Sequence, residues 1–377
     1  MNFELTSDQK MLAQTVSQFT KTKSTVERFR KLREAGTSWE REVWAEMGEL
    51  GWLSVPFPEE AGGFGAGFVE VAIIAEGLGK TLVPEPFIGS VVLGGMALLQ
   101  AGSASQHEQW LAPMIEGTSS LALGYAERQS RHDVSRVATT ATRDGGGWKL
   151  SGEKVFVPNG HEAEHVLISA QTPDGIGLFV VAADGPGVTR TKVKTIDGHG
   201  AGRIRLDGAA VGDDCRLGEP GDATVATLEH VLDYGAAAAC AEGLGICQAT
   251  LDMTVAHLKE RKQFNVPIGS FQVLQHRAVE MFVEVELVRS VSILASISVE
   301  DEDPVARKRG VSAAKAKLAT AGRAVTREAI QLHGGIGITD EHDIGLYFKR
   351  MVALDALFGD EVHHVERFSA LPTFMRG

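Results

Sequence analysis

From about residue 6 to residue 118, apolar residues recur at spacings of three and four, as in Met11, Leu12, Val16 and Phe19, the rhythm of helices with one buried face. Thr6 followed by Gln9 predicts a capping box at the start of the first helix. The stretch from Gly51 through Pro56 to Gly67 breaks the rhythm with proline and a glycine cluster, which predicts a loop, and helical spacing resumes at Val71, Ile74 and Leu78. Between about 119 and 217 the texture changes to short runs rich in Val, Thr and Ile. Turn sequences separate them, among them Asp144-Gly145-Gly146-Gly147, Pro158-Asn159-Gly160, Asp184-Gly185-Pro186-Gly187 and Asp207-Gly208, so this part reads as a small β-barrel or sandwich. After Gly218-Glu219-Pro220-Gly221 the helical rhythm returns in a long run from about 223 to 262 and in helices near 270–298, 305–333 and 340–357. The expected fold class is α+β and multi-domain: an N-terminal helical domain (1–118), a middle β domain (119–218) and a C-terminal four-helix bundle (219–377).

Composition narrows the partners. A chain of 377 residues that is 44% hydrophobic and 23% charged can bury a large core, and its net charge of −12 argues against nucleic acid. The first ten residues show no charged leader before an apolar run, and no apolar stretch is long enough to span a bilayer, so neither secretion nor a membrane is expected. Cys215, Cys240 and Cys247 have no metal-type spacing and cannot pair evenly, which suits a reducing cytoplasm; the last two read as small core residues.

Three short patterns invite chemistry and have plainer readings. His161-Glu162-Ala163-Glu164-His165 has the HExxH spacing of zinc hydrolases, but it follows a turn in a strand-rich region and no helix is predicted there to set both imidazoles on one face. The glycines at 62, 63, 65 and 67 fit neither dinucleotide nor P-loop spacing and read as an interhelical loop. His363 and His364 are adjacent on a predicted helix, so they do not face one site and read as a surface or interface feature.

Two longer segments are more specific: Arg261-Lys262-Gln263-Phe264-Asn265-Val266-Pro267-Ile268-Gly269-Ser270-Phe271-Gln272, and Gln331-Leu332-His333-Gly334-Gly335-Ile336-Gly337-Ile338-Thr339. An arginine at a helix end can fork onto a pyrophosphate, and an exposed phenylalanine can cover an aromatic ring. Together with the helical–β–helical order, these segments resemble the C-terminal signatures of flavin-dependent acyl-CoA dehydrogenases over nearly the whole chain. Cys240-Ala241-Glu242, Leu274-Gln275-His276-Arg277 and Leu357-Phe358-Gly359-Asp360 resemble in particular the small-subunit branch of the pimeloyl-CoA dehydrogenases. The resemblance implies that Arg261, Phe264, Gln272, Gln331 and Gly335 contact the adenosine diphosphate part of a neighbouring subunit's FAD. Gly335 would allow close approach of the backbone to the phosphates.

At the flavin end the likeness is poorer. The family's Thr-Glu-Pro-x-Ala-Gly-Ser-Asp loop corresponds to Ala126-Glu127-Arg128-Gln129-Ser130-Arg131-His132-Asp133, which loses both aligned hydroxyls, with Ser130 as a partial substitute. The usual Trp-Ile-Thr corresponds to Phe156-Val157-Pro158, where a hydroxyl and a backbone donor disappear together. The reaction of the family needs a carboxylate to take the α-proton while the flavin takes the β-hydride. The two positions where the family places that glutamate fall on Gly235 and Gly359. A one-residue shift would offer Asp360, and Glu242 lies seven residues beyond Gly235 on nearly the same helix face; the plain alternatives are a helix cap and an ion pair.

The resemblance therefore implies a subunit of an FAD-dependent acyl-CoA dehydrogenase whose partners are an acyl-CoA, a homologous larger subunit or a second copy in a dimer or tetramer, and an electron-transferring flavoprotein. Two alternatives stand beside it. One is a self-sufficient homo-oligomer using Asp360 or Glu242 as base; the other is a non-catalytic acyl-CoA-binding or scaffolding protein.

Overall fold

The computed structural model describes residues 4–372, and it divides into two compact units, one made of residues up to 34, 68–83 and from 236 onward, the other of 35–67 and 84–235. The helices expected as a single N-terminal domain are thus shared between the two.

In the first unit, helix α1 (Ser7–Thr22) begins with the expected box: the Gln9 amide donates to Thr6 Oγ1 at 3.2 Å and the Thr6 amide donates to Gln9 Oε1 at 2.9 Å. α2 (Val26–Ala35) follows, and the second unit contributes α3 (Arg41–Glu49). α4 (Phe68–Gly79) returns to the first unit and packs on α1. The short helices α5 (Met96–Ala101), α6 (Ala104–Gln106) and α7 (Ala112–Ile115) belong to the second unit, as does a π-helical stretch at Phe87–Gly95.

The β region lies where the sequence indicates. β1 (Leu121–Gly124), β2 (Thr140–Asp144), β3 (Gly147–Val157), β4 (His165–Thr172), β5 (Gly175–Ala182), β6 (Val188–Val193), β7 (Ala201–Gly212) and β8 (Arg216–Leu217) form one mixed sheet in the order β6-β7-β3-β2-β4-β5-β8, with β1 parallel to β4. Inward-facing Trp148, Leu150, Ile168, Phe179, Ile204 and Leu206 make its core, with Trp148 edge-on to Phe179 at 5.3 Å between centroids.

α8 (Asp222–Glu260) is followed by the two-residue strands β9 (Lys262–Gln263) and β10 (Val266–Pro267). α9 (Gln272–Ser298), α10 (Pro304–His333), α11 (Ile344–Ala356) and α12 (Glu361–Ser369) complete the chain. Around Ala237–Cys247 nearly every α8 side chain is buried, and Gly245 lets its backbone lie against the Glu76 carbonyl of α4, where a Cβ would not fit. α10 is the centre of the helical unit. Ala314, Leu318, Ala321, Val325 and Ala329 are buried along it, and α9, α11 and α12 pack around it.

Candidate cofactor site

Arg261 lies one residue past the end of α8, at the base of the β9–β10 hairpin, where its carbonyl accepts the Ile268 amide at 2.8 Å. Phe264 and Asn265 form the tip with φ of 53° and 65°, the left-handed pair that a two-residue hairpin of this kind requires. Such a tip favours Asn and Gly, so a phenylalanine there stores strain, and its ring is 86% exposed. Phe271 stands edge-on to it at 6.1 Å, just before Gln272 opens α9. At the end of α10, Gln331 and Gly335 are exposed and nothing lies within 4 Å of where a Gly335 side chain would begin. Among the described residues the side chains of Arg261, Gln272 and Gln331 make no hydrogen bond or ion pair.

A column of imidazoles brings the two segments side by side. His257, one turn before Arg261, stacks on His333 at 4.5 Å, and His342 packs on the same ring at 4.6 Å. His333 Nδ1 donates to the Ala329 carbonyl at 2.8 Å; burial, with its two neighbours, holds this ring down at about 4. The loop beyond Gly335 is tied to α2 by Arg30, which reaches Asp343 at 2.6 Å, and by Arg33 on Asp340.

The loop expected to face the flavin lies in the other unit and is organised around Glu127. Its carboxylate accepts from the Ala138 and Thr139 amides at 2.8 and 3.0 Å, from Thr139 Oγ1 at 2.6 Å and from Lys154 Nζ at 2.6 Å. Burial opposes its charge, but Lys154 and these donors outweigh it and hold the carboxyl down at about 2. Burial lowers Lys154 to about 8. The Ser130 hydroxyl donates to the Glu127 carbonyl at 3.0 Å and accepts the Glu127 amide at 2.9 Å, so the loop itself uses the one hydroxyl that could have served as a substitute. At the second segment Phe156 and Asn159 have φ of 51° and 59°, and Pro158 between them offers no N–H.

Neither position expected to hold the base carries a carboxylate: both are glycine. Gly235 is buried within α8. Gly359 has φ of 110°, and a Cβ on it would run into His363 Cδ2 and lie 2.9 Å from His364 Nε2. The loop is clamped from below: Lys315 Nζ, fully buried, donates to the Asp355 and Gly359 carbonyls at 3.0 and 2.9 Å, and His364 Nε2 donates to the Phe358 carbonyl at 3.0 Å. His364 is thus a buried clamp and not the surface or interface feature expected of the pair. Asp360 caps α12 by accepting the His363 amide at 2.9 Å. Glu242 is held by Arg350 through two hydrogen bonds of 2.6 and 2.9 Å. Both carboxylates therefore have structural occupations.

The zinc-like pattern also resolves as structure. His165 begins β4, His161 Nε2 lies 2.8 Å from Ser38 Oγ, and no metal-type cluster occurs among the described residues.

Residues 6–118, 122–209 and 225–367 match, in order, the N-terminal, middle and C-terminal domains of acyl-CoA dehydrogenase. "Probable acyl-CoA dehydrogenase YngJ" of Bacillus subtilis (strain 168) is 32% identical over 358 residues, which cover 91% of this chain and 92% of that one. The chain belongs to the acyl-CoA dehydrogenase family. Acyl-CoA dehydrogenases are FAD-dependent oxidoreductases, and the helical, sheet and helical regions of this chain are their fold. Among solved structures it is similar to a chain from "Electron transferring flavoprotein of Acidaminococcus fermentans: Towards a mechanism of flavin-based electron bifurcation", at 27% identity and a TM-score of 0.93 with 100% of both chains covered. It is likewise similar to a chain of the ChsE4-ChsE5 complex from Mycobacterium tuberculosis, at 27% identity and a TM-score of 0.88, covering 99% of this chain and 100% of that one.

Sequence reasoning missed the Lys315 clamp and the imidazole column. A lysine three residues from both Ser312 and Leu318, on the buried face of α10, is a periodicity signal that could have revealed the first. His257 lies far from His333 and His342 in the chain, so the three histidines carry no local signal for the second.

Proposed function

We propose that this chain is an acyl-CoA dehydrogenase subunit that completes the adenosine end of a partner chain's FAD site and contributes no base of its own. One contrast carries the reading: the polar groups of Arg261, Gln272 and Gln331 are exposed and uncommitted, whereas Ser130, Asp360 and Glu242 are all consumed by the fold. Arg261 would fork onto the diphosphate, the exposed Phe264 ring would cover an aromatic face, and the open backbone at Gly335 would admit phosphate oxygens. When bound, FAD supplies the hydride acceptor; the residues of this chain hold and orient its adenosine part.

A second chain is also suggested by α9, which exposes Val279, Val283, Leu287 and Leu294 along one side. The ChsE4-ChsE5 relative is itself described as a complex. On this reading the partner is a larger homologue that supplies the glutamate and most of the flavin contacts, and an electron-transferring flavoprotein reoxidises the flavin. The likeness to the pimeloyl-CoA branch points to a medium-length dicarboxylic acyl thioester as substrate.

The test is anaerobic addition of acyl-CoA thioesters, pimeloyl-CoA among them, to the purified chain and to the chain co-expressed with a homologue. Bleaching of the flavin absorbance only in the mixed assembly is expected. Bleaching in the lone chain, abolished by Asp360→Asn or Glu242→Gln, would establish the self-sufficient enzyme instead.

A further inference from the structure

The imidazole column beside Arg261 does more than join two segments. His333 Nδ1 carries a proton, because the Ala329 carbonyl at 2.8 Å can only accept. In the neutral ring Nε2 is then a bare lone pair, and it is buried without a hydrogen-bond partner. His342 Nδ1 accepts the Ile344 amide at 3.1 Å, so its proton is on Nε2. His257 is the half-buried outer ring, in the α8 turn that ends at Arg261.

We propose that the His257–His333–His342 column is the proton-responsive wall of the adenosine diphosphate site, so that a diphosphate seated on Arg261 and Gly335 binds together with a proton taken up by His257.

The charges around the column support this. From α8 it meets Glu260 and Arg261; burial is the largest influence lowering His257, with His342 and Arg261 adding to it and Glu260 opposing. From α10 the nearest acid is Glu328, already paired with Arg277 of α9. From the loop beyond Gly335, Asp340 is bound to Arg33 of α2 and to Lys349 of α11, Asp343 is bound to Arg30 of α2, and Glu341 is exposed. Without a ligand, then, most acids here are committed to other cations, and burial and Arg261 disfavour the charged form of His257. A diphosphate brings negative charge to Arg261, removes that opposition and favours imidazolium at His257, with the neutral His333 ring stacked against it. By linkage, a ligand that raises the proton affinity of a group binds more tightly as pH falls.

The inference rests on the adenosine-site reading, and the experiment separates the two. ADP-ribose is the probe, because its diphosphate does not titrate between pH 5.5 and 8. It is titrated calorimetrically into the mixed assembly stripped of its FAD, at pH 5.5, 6.5 and 8, in buffers of different ionisation heat so that protons are counted. We expect binding about tenfold weaker at pH 8 than at pH 5.5, the consequence of raising one imidazole by about one pKa unit. Net proton uptake should accompany binding, and it should disappear in His257→Phe, which keeps the stacked ring, while binding at pH 8 persists. Binding that depends on Arg261 but takes up no proton at any pH overturns this proposal and leaves the site reading intact. Absence of Arg261-dependent binding even at pH 5.5 overturns both.

Discussion

Placing a glutamate at position 359 will not make this chain a self-sufficient dehydrogenase. Gly359 has φ of 110°, a conformation that side chains rarely adopt and that costs about 1–3 kcal/mol when forced. A Cβ there also meets His363, whose half-buried ring can turn aside, and His364, which cannot move without giving up the Phe358 carbonyl and the contact with Ser312 Oγ at 3.2 Å. Displacing His364 adds about 1–2 kcal/mol for the buried groups left unpaired. Gly359→Glu and Gly359→Ala should therefore destabilise the chain by a similar amount, about 2–5 kcal/mol each, because the penalty lies in the backbone and the Cβ. Thermal melting of both variants beside the wild type measures this, and anaerobic acyl-CoA titration of Gly359→Glu looks for flavin reduction. If Gly359→Glu melts with the wild type and gains acyl-CoA-dependent flavin bleaching, the clamp is not a barrier and the reasoning fails.

Other expected outcomes concern the groups consumed by the fold. Glu127 is held near 2 against an ordinary value of 4.5, so it stabilises the chain at neutral pH and that contribution is lost as pH falls through about 4.5 to 2; Glu127→Gln should be less stable at pH 7 and should show a flatter melting-temperature profile over that window. Arg350→Met leaves the Glu242 carboxylate buried and unpaired and should cost about 3–5 kcal/mol in urea unfolding, whereas the Glu242→Gln/Arg350→Met double variant should recover part of that loss. Phe264→Gly suits the left-handed hairpin tip, so its melting temperature should be equal or slightly higher while the mixed assembly retains less FAD.

The sequence displayed what is local. Apolar spacing located the long helices to within a few residues: the run expected to reach 262 ends at Glu260, and the helix expected from 340 begins at Ile344. The Thr6–Gln9 box was readable because all its atoms lie within one turn. The Arg261 and Gln331 segments were readable because each is continuous. What the sequence hid depends on which groups meet after folding. Ser130 looked like a spare hydroxyl until its bonds to Glu127 accounted for it, and His364 looked exposed until Ser312 and Phe358 enclosed it. Similarly, the pairing of Glu242 with Arg350 joins residues 108 positions apart, beyond the reach of any periodicity.

The central claim is that this chain completes a site on another. Its most direct test is FAD content per chain, with assembly mass, for the protein expressed alone and co-expressed with a homologous chain. The account predicts little FAD on the lone chain and stoichiometric FAD on the partner in the mixed assembly, with that FAD lost when Arg261→Ala is introduced here. A lone homo-oligomer that carries one FAD per chain and is reduced by an acyl-CoA would contradict it.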